Sequence, residues 1–376
     1  MTEIHGTCDP RFEAVRTTFA NNFDAGYDVG ASVAVYVDGE PVVDLWGGFA
    51  DRDQTKPWER DTIINVWSTT KTMTFVAALM LADQGLIGID EPVARYWPEF
   101  AANGKENVLV RHLMAHTAGL SGWQEKLSGE DLYDWEKCTS LLAAQAPWWE
   151  PGTASGYHAI TQGYLIGEVV RRVTGQNFGT FFRNEIAEPR GADFPVGFGP
   201  ELDDRVALVI TPPAPPRPEV FPPFLVKTMT NPMLNAKQSW DLDWRRAEIP
   251  AAGGHGNARS VALAQCAVSA GGSARGVDLL SAETVERIFD VQAAGRDLVL
   301  GIGVTFGVGY GLNSPRAPIS PNARVCYWGG WGGSLVVNDV DAGLTMAYVM
   351  NRMGEGTVGD DRAHTILRGC YQSLGI

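Results

Sequence analysis

A serine hydroxyl is a poor nucleophile until a neighbouring base takes its proton, and one serine in this chain has an amine close by in sequence. Ser68 and Lys71 lie three residues apart in Asn65-Val66-Trp67-Ser68-Thr69-Thr70-Lys71-Thr72-Met73-Thr74, and no other serine is followed by a lysine at that spacing. On a helix, three residues is close to one turn, so the amine can reach the hydroxyl. A desolvated lysine can then assist proton removal. The surrounding pattern predicts a strand running into a helix. Ile63, Ile64, Val66 and Trp67 favour β structure; Met73, Val76, Ala77, Leu79, Met80 and Leu81 have helical spacing up to Gly85. Ser68 then sits at or just inside a helix N-terminus, where free N–H groups and the helix dipole favour developing negative charge. The plainer reading is an N-cap serine on an amphipathic helix with a solvated lysine.

Two further stretches bear on that chemistry. Tyr157 lies in Trp148-Trp149-Glu150-Pro151-Gly152-Thr153-Ala154-Ser155-Gly156-Tyr157-His158-Ala159, just before a helical pattern. A phenol held near Lys71 would have its ionised form stabilised by the ammonium, and would then act as general base to Ser68. A packed tyrosine with a hydrogen-bonded hydroxyl is the alternative. His158 points away if Tyr157 points inward; with Trp149 it stands as a candidate pocket residue. The second stretch is Tyr327-Trp328-Gly329-Gly330-Trp331-Gly332-Gly333-Ser334. So many glycines weaken a strand, but they suit a place where backbone must approach a ligand closely. A backbone N–H here, opposed to that of Ser68, would complete an oxyanion hole. A glycine-rich turn or bulge is the alternative.

Composition narrows the field. The chain has 376 residues, 45% hydrophobic, with a net charge of -14. That length suits one large or two interlocked lobes. An acidic chain without a basic patch argues against nucleic-acid partners and against an anionic membrane surface. Cys8, Cys138, Cys266, Cys326 and Cys370 are scattered and odd in number, so free thiols are expected, with no disulfide framework or metal knuckle. No apolar run approaches the ~18 residues of a membrane span, and the N-terminus lacks a leader pattern, so a cytoplasmic location is expected. No serine sits in G-x-S-x-G, there is no H-E-x-x-H, and no P-loop. No metal or cofactor is expected. A Ser–His–Asp triad through His116 or His255 has no positive support.

The elements that must position these residues read as follows. Helical spacing covers 10–24. Two β-rich runs, 30–37 and 41–48, around Asp38-Gly39 predict a hairpin. Further helices are expected over 110–115, 131–145, 159–174 (ended by Gly175), 258–270 and 360–373. Strands are expected at 303–310, 325–328, 334–338 and 344–350. Residues 211–223 are proline-rich and predict an extended surface connection. Strands near both chain ends around a helical middle predict a sheet assembled from the two ends. The expected division is a discontinuous lobe of 1–70 and 270–376 and a mostly helical lobe of 71–269, together one catalytic unit.

Taken in order, Ser68-x-x-Lys71, Tyr157 before a helix, and Trp328-Gly329-Gly330 before a late strand resemble the serine β-lactamase and penicillin-binding-protein superfamily. More narrowly they resemble the family VIII carboxylesterases. Leu113-Met114-Ala115-His116-Thr117-Ala118-Gly119-Leu120, Gly163–Gly175 and Gly254-His255-Gly256-Asn257 add to the likeness, which runs from about residue 10 to the end. The resemblance implies an α+β fold of the β-lactamase/DD-peptidase kind, an antiparallel sheet flanked by helices with an inserted helical lobe. It implies Ser68 as acylated nucleophile, Lys71 and Tyr157 as its base system, and the N–H groups of Ser68 and Trp331 as oxyanion donors. Two positions depart from the β-lactamase pattern. Tyr-x-Asn reads Tyr157-His158-Ala159, and Lys-Thr-Gly reads Trp328-Gly329-Gly330. An anionic substrate would lose the cation that pairs its carboxylate. The expected substrates are therefore small to medium neutral carboxylic esters, with Trp328, Gly329, Gly330, Trp149 and His158 at the pocket. Tryptophans near the motifs would line it or belong to the core. A weak β-lactamase or amide hydrolase, an acyltransferase, or a silent binding protein on the same scaffold are the competing readings.

Overall fold

A computed structural model describes residues 2–212, 221–356 and 358–376. Most of the proline-rich stretch, 213–220, lies outside the described residues. The centre is a nine-stranded antiparallel sheet. Its strands are β1 (Ile4–Cys8), β2 (Gly30–Val37), β3 (Glu40–Gly48), β4 (Ala293–Arg296), β5 (Gly303–Phe306), β6 (Gly311–Leu312), β7 (Val325–Gly329), β8 (Leu335–Asp339) and β9 (Leu344–Met350). Their order is β1-β3-β2-β9-β8-β7-β6-β5-β4. The two chain ends meet where β2 pairs β9, Ser32 opposite Val349.

The expected hairpin is there. Asp38 and Gly39 both have positive φ, +50° and +79°, as a two-residue turn between twisted strands requires. β2 is almost wholly buried because both sheet faces are covered, and this explains its unbroken apolar run. On one face lies α4 (Ala258–Ser269). The Ala258 N–H donates to Ser32 Oγ at 3.0 Å, and Ser269 Oγ meets Thr345 Oγ1 at 2.8 Å. On the other face α1 (Glu13–Asp24) packs on α5 (Asp361–Leu374). α4, which falls within the expected 71–269 lobe, packs on the sheet. α2 (Lys71–Asp83) packs against both α4 and α3 (Thr161–Thr174), and so stands between the sheet and the helical region.

Two edge strands escape the sequence pattern. β1 and β4 are short and largely exposed, so neither carries an apolar alternation. The run expected over 303–310 splits into β5 and a turn leading to β6.

Arg362, at the start of α5, is the main tie on the outer face. It donates to Asp28 Oδ1 at 2.9 Å, to the carbonyls of Tyr27 (3.1 Å), Arg352 (2.8 Å) and Gly332 (2.8 Å), and to Asp360. Tyr348 of β9 donates to the same Asp28 oxygen at 2.6 Å. Removing the guanidinium leaves the fully buried Asp28 without its cation. Arg362→Met is expected to cost about 3–5 kcal/mol, measured by urea denaturation; a loss under ~1 kcal/mol would show that the network is dispensable.

Candidate active site

Ser68 lies in a single 3-10 turn, Trp67–Thr70, which runs directly into α2. The strand before it is shorter than the apolar run: Ile64–Asn65 pairs with His255–Gly256, and Ile63 forms a single bridge to Val206. Trp67 ends it, with φ at +51°. That left-handed conformation is unfavourable for a bulky residue and persists only where its surroundings hold it. Here the indole is buried between Trp244 and Trp331, at ring-centroid distances of 5.6 and 5.1 Å. The Thr70 hydroxyl donates to the Trp67 carbonyl at 2.5 Å and accepts the Gly254 N–H at 3.1 Å.

Lys71 is fully buried at the head of α2. Its Nζ stands 3.1 Å from Ser68 Oγ, 2.7 Å from the Ala159 carbonyl and 2.9 Å from the Ala251 carbonyl. Burial alone holds its pKa well below the ordinary lysine range. A neutral amine has two N–H donors and one lone pair. The two carbonyls take the donors, which leaves the lone pair for Ser68.

Tyr157 is buried, and its hydroxyl donates to Ser68 Oγ at 2.7 Å. Trp328 Nε1–H stands 3.4 Å from the same phenol oxygen. Burial pushes the Tyr157 pKa above the ordinary phenol range. Both shifts run against the expected phenolate beside an ammonium. Desolvation drives both shifts, because keeping the proton on oxygen leaves no charge buried at either group. Both groups stand within hydrogen-bond reach of Ser68 Oγ.

The glycine-rich segment approaches backbone where a ligand was expected. A Cβ on Gly330 would stand 2.2 Å from the Val66 carbonyl, and one on Gly329 would stand 2.4 Å from the Gly359 nitrogen. Ser334 Oγ donates to Val66 O at 2.9 Å and meets Thr69 Oγ1 at 2.9 Å. This locks the end of β7 onto the Ser68 turn and sets Trp331 against Trp67. The N–H groups of Gly330 and Gly332 donate to the Ser334 and Gly356 carbonyls. Among the described residues no carbonyl takes the Trp331 N–H between them.

The other expected pocket residues divide. Trp149 is half-buried and packs on Phe224 at 5.1 Å. Trp328 is buried behind Tyr157, rings 5.3 Å apart, so it backs the phenol. His158 does not reach the cleft. It is fully buried, its Nδ1 bonded to the Gly156 carbonyl at 2.6 Å and its Nε2 accepting the Leu120 N–H at 3.1 Å. Burial holds it neutral, with its pKa down to about 3. Reasoning from sequence missed Phe224, Met229, Leu300 and Val358, half-buried apolar groups packed on the Tyr157–Trp328 cluster. It also missed the Ala159 and Ala251 carbonyls, which no side chain could signal.

The β-lactamase family profile matches residues 19–370. A solved family VIII carboxylesterase superimposes at a TM-score of 0.94 with 41% identity, covering 99% of this chain and 100% of that one. A penicillin-binding-protein homologue from Caulobacter crescentus does so at 0.94 with 39% identity and the same coverage. The esterase/β-lactamase LipL of Mycobacterium tuberculosis is 36% identical over 373 residues, 96% of this chain and 86% of LipL. The chain belongs to the β-lactamase family. Within it, it is a β-lactamase-like serine enzyme of the family VIII carboxylesterase type.

The lowered Lys71 pKa fixes a pH dependence. If Lys71 takes the serine proton, kcat/KM for an ester is expected to fall as pH is lowered through the depressed Lys71 pKa and the amine takes up a proton. Lys71→Arg is charged at every pH and should lose ~10²-fold or more throughout. An arginine variant with wild-type rates would remove Lys71 from the base role.

Proposed function

We propose that this protein hydrolyses small to medium neutral carboxylic esters through an acyl-enzyme on Ser68. The observation that carries this reading is the position of Ser68 Oγ, within hydrogen-bond reach of both Lys71 Nζ (3.1 Å) and Tyr157 Oη (2.7 Å). Ser68 Oγ attacks the ester carbonyl as its proton passes to the Lys71 amine. The tetrahedral oxyanion is held by the N–H groups of Ser68 and Trp331. The C–O bond to the alcohol breaks, and the Tyr157 phenol protonates the departing alkoxide. The Lys71 ammonium then restores the phenol. Water deacylates Ser68 by the same proton path in reverse, releasing the acid.

The preference for neutral esters rests on the residues around the nucleophile. The sequence position of a β-lactamase lysine holds Trp328, buried behind Tyr157, and the half-buried groups packed on that cluster, Phe224, Met229 and Leu300, are apolar. Such a wall offers a substrate carboxylate no counter-charge. A second reading, weak β-lactam hydrolysis by the same serine, draws on the name of LipL. The chain's five cysteines are free, which fits work in the reducing cytoplasm. Among the described residues no helix is long and apolar enough to cross a membrane. The sheet-bearing and helical lobes act as one catalytic unit in this reading, joined at α2.

Initial rates on p-nitrophenyl butyrate and nitrocefin, compared side by side, test the proposal. Ester cleavage is expected to dominate and to vanish in Ser68→Ala, with the thermal midpoint little changed. Tyr157→Phe is expected to slow acylation by ~10²-fold or more. Nitrocefin turnover faster than ester turnover would overturn the assigned specificity, and residual fast cleavage by Ser68→Ala would overturn the nucleophile.

A further inference from the structure

Asp297 lies outside every motif that led to Ser68, yet it touches the Tyr157 backbone. Its Oδ1 accepts the N–H of Tyr157 at 3.0 Å, of Val299 at 2.9 Å and of Leu300 at 2.8 Å. The residue is 1% exposed, and among the described residues its Oδ2 has no partner. The adjacent Leu298 N–H donates to the Ser155 carbonyl at 2.8 Å. The segment between β4 and β5 is therefore joined to 155–157 at two successive points.

Among the described residues Asp297 forms no ion pair, and an apolar side chain of similar size would avoid the cost of burying its polar atoms. What Asp297 does supply is one strong acceptor on which three backbone donors converge. The Tyr157 peptide is one of them. The ring of Tyr157 packs against His116 (4.9 Å) and Trp328 (5.3 Å), and the N–H groups of Gly156 and His158 on either side are taken by the His116 carbonyl and Nδ1, which leaves the Tyr157 N–H to Asp297. The hydrogen bond to Asp297 fixes the peptide from which the phenol extends to Ser68.

We infer that Asp297 is a positioning residue for Tyr157: its Oδ1 sets where the phenol oxygen stands relative to Ser68. It acts through Tyr157 and touches no substrate. The inference rests on the proposed role of Tyr157. It also makes the location of the acceptor oxygen, and not the charge, the property that matters.

Two substitutions separate location from charge. Asp297→Asn keeps an acceptor oxygen in place and removes the charge; kcat is expected to stay within about threefold of wild type. Asp297→Glu keeps the charge but moves the oxygen by a methylene; kcat is expected to fall ~10²-fold with KM within about twofold. In the Tyr157→Phe background, Asp297→Glu is expected to change kcat by less than about twofold, because the group it positions is gone. Asp297→Glu at wild-type kcat overturns the inference. So does Asp297→Asn falling as far as Asp297→Glu, or Asp297→Glu costing as much with Tyr157→Phe as without it. Should Asp297→Glu not fold, Asp297→Asn decides alone, and a loss beyond about tenfold overturns the inference. If Tyr157→Phe itself keeps the wild-type rate, the role of Tyr157 falls and this inference with it. If Tyr157→Phe is impaired while Asp297→Glu is not, only the inference about Asp297 falls.

Discussion

The site depends on burying an amine with no counter-charge. Lys71 is fully buried, and desolvation is the cause of its lowered pKa. A carboxylate beside it would restore the ammonium and remove the lone pair from Ser68. The structure supplies two backbone carbonyls instead, from Ala159 and Ala251. Carbonyls orient the amine without charging it. They come from two segments, one leading into α3 and one just before α4, so the base is aligned only when both are docked around α2. The free-energy cost of hiding a lysine is offset by the rest of α2, whose residues from Lys71 through Leu81 are all buried.

The same logic governs the groups facing Lys71. Tyr157 stays a phenol because burial opposes its ionisation, and two buried histidines behind it, His116 and His158, are held neutral for the same reason. Burial thus disfavours the charged form of each of these side chains. The turn that carries Trp331 is locked to Val66 and Thr69 through Ser334, and its far side is tied to Arg362 through the Gly332 carbonyl. The outer face of the sheet therefore braces the loop that faces the nucleophile.

Much of this was legible in the sequence, and the failures have physical causes. The hairpin at Asp38-Gly39, the helix after Ser68 and the late strands follow from turn chemistry and apolar period. The gathering of Ser68, Lys71 and Tyr157 was reachable only by taking two distant stretches together, 65–74 and 148–159. The expected strand through Trp67 failed because tertiary packing imposes a left-handed φ that no propensity predicts. Edge strands β1 and β4 were missed because exposed strands carry no apolar alternation. His158 was misplaced as a pocket residue because alternation along a loop does not say which neighbour turns inward. The glycines at 329 and 330 were correctly read as places of close approach, but the approaching group is backbone. Asp297 gave no signal, since a single aspartate far along the chain looks like any surface residue.

The central claim is that Ser68 becomes covalently acylated. The most direct measurement is to mix the protein with p-nitrophenyl butyrate, quench in acid within the first turnovers, digest, and map the adduct by tandem mass spectrometry. The account predicts a butyryl group on the peptide containing Ser68, localised to that side chain and lost on longer incubation as water deacylates it. A butyryl adduct on another residue, or rapid ester cleavage with no covalent adduct at any quench time, would contradict it.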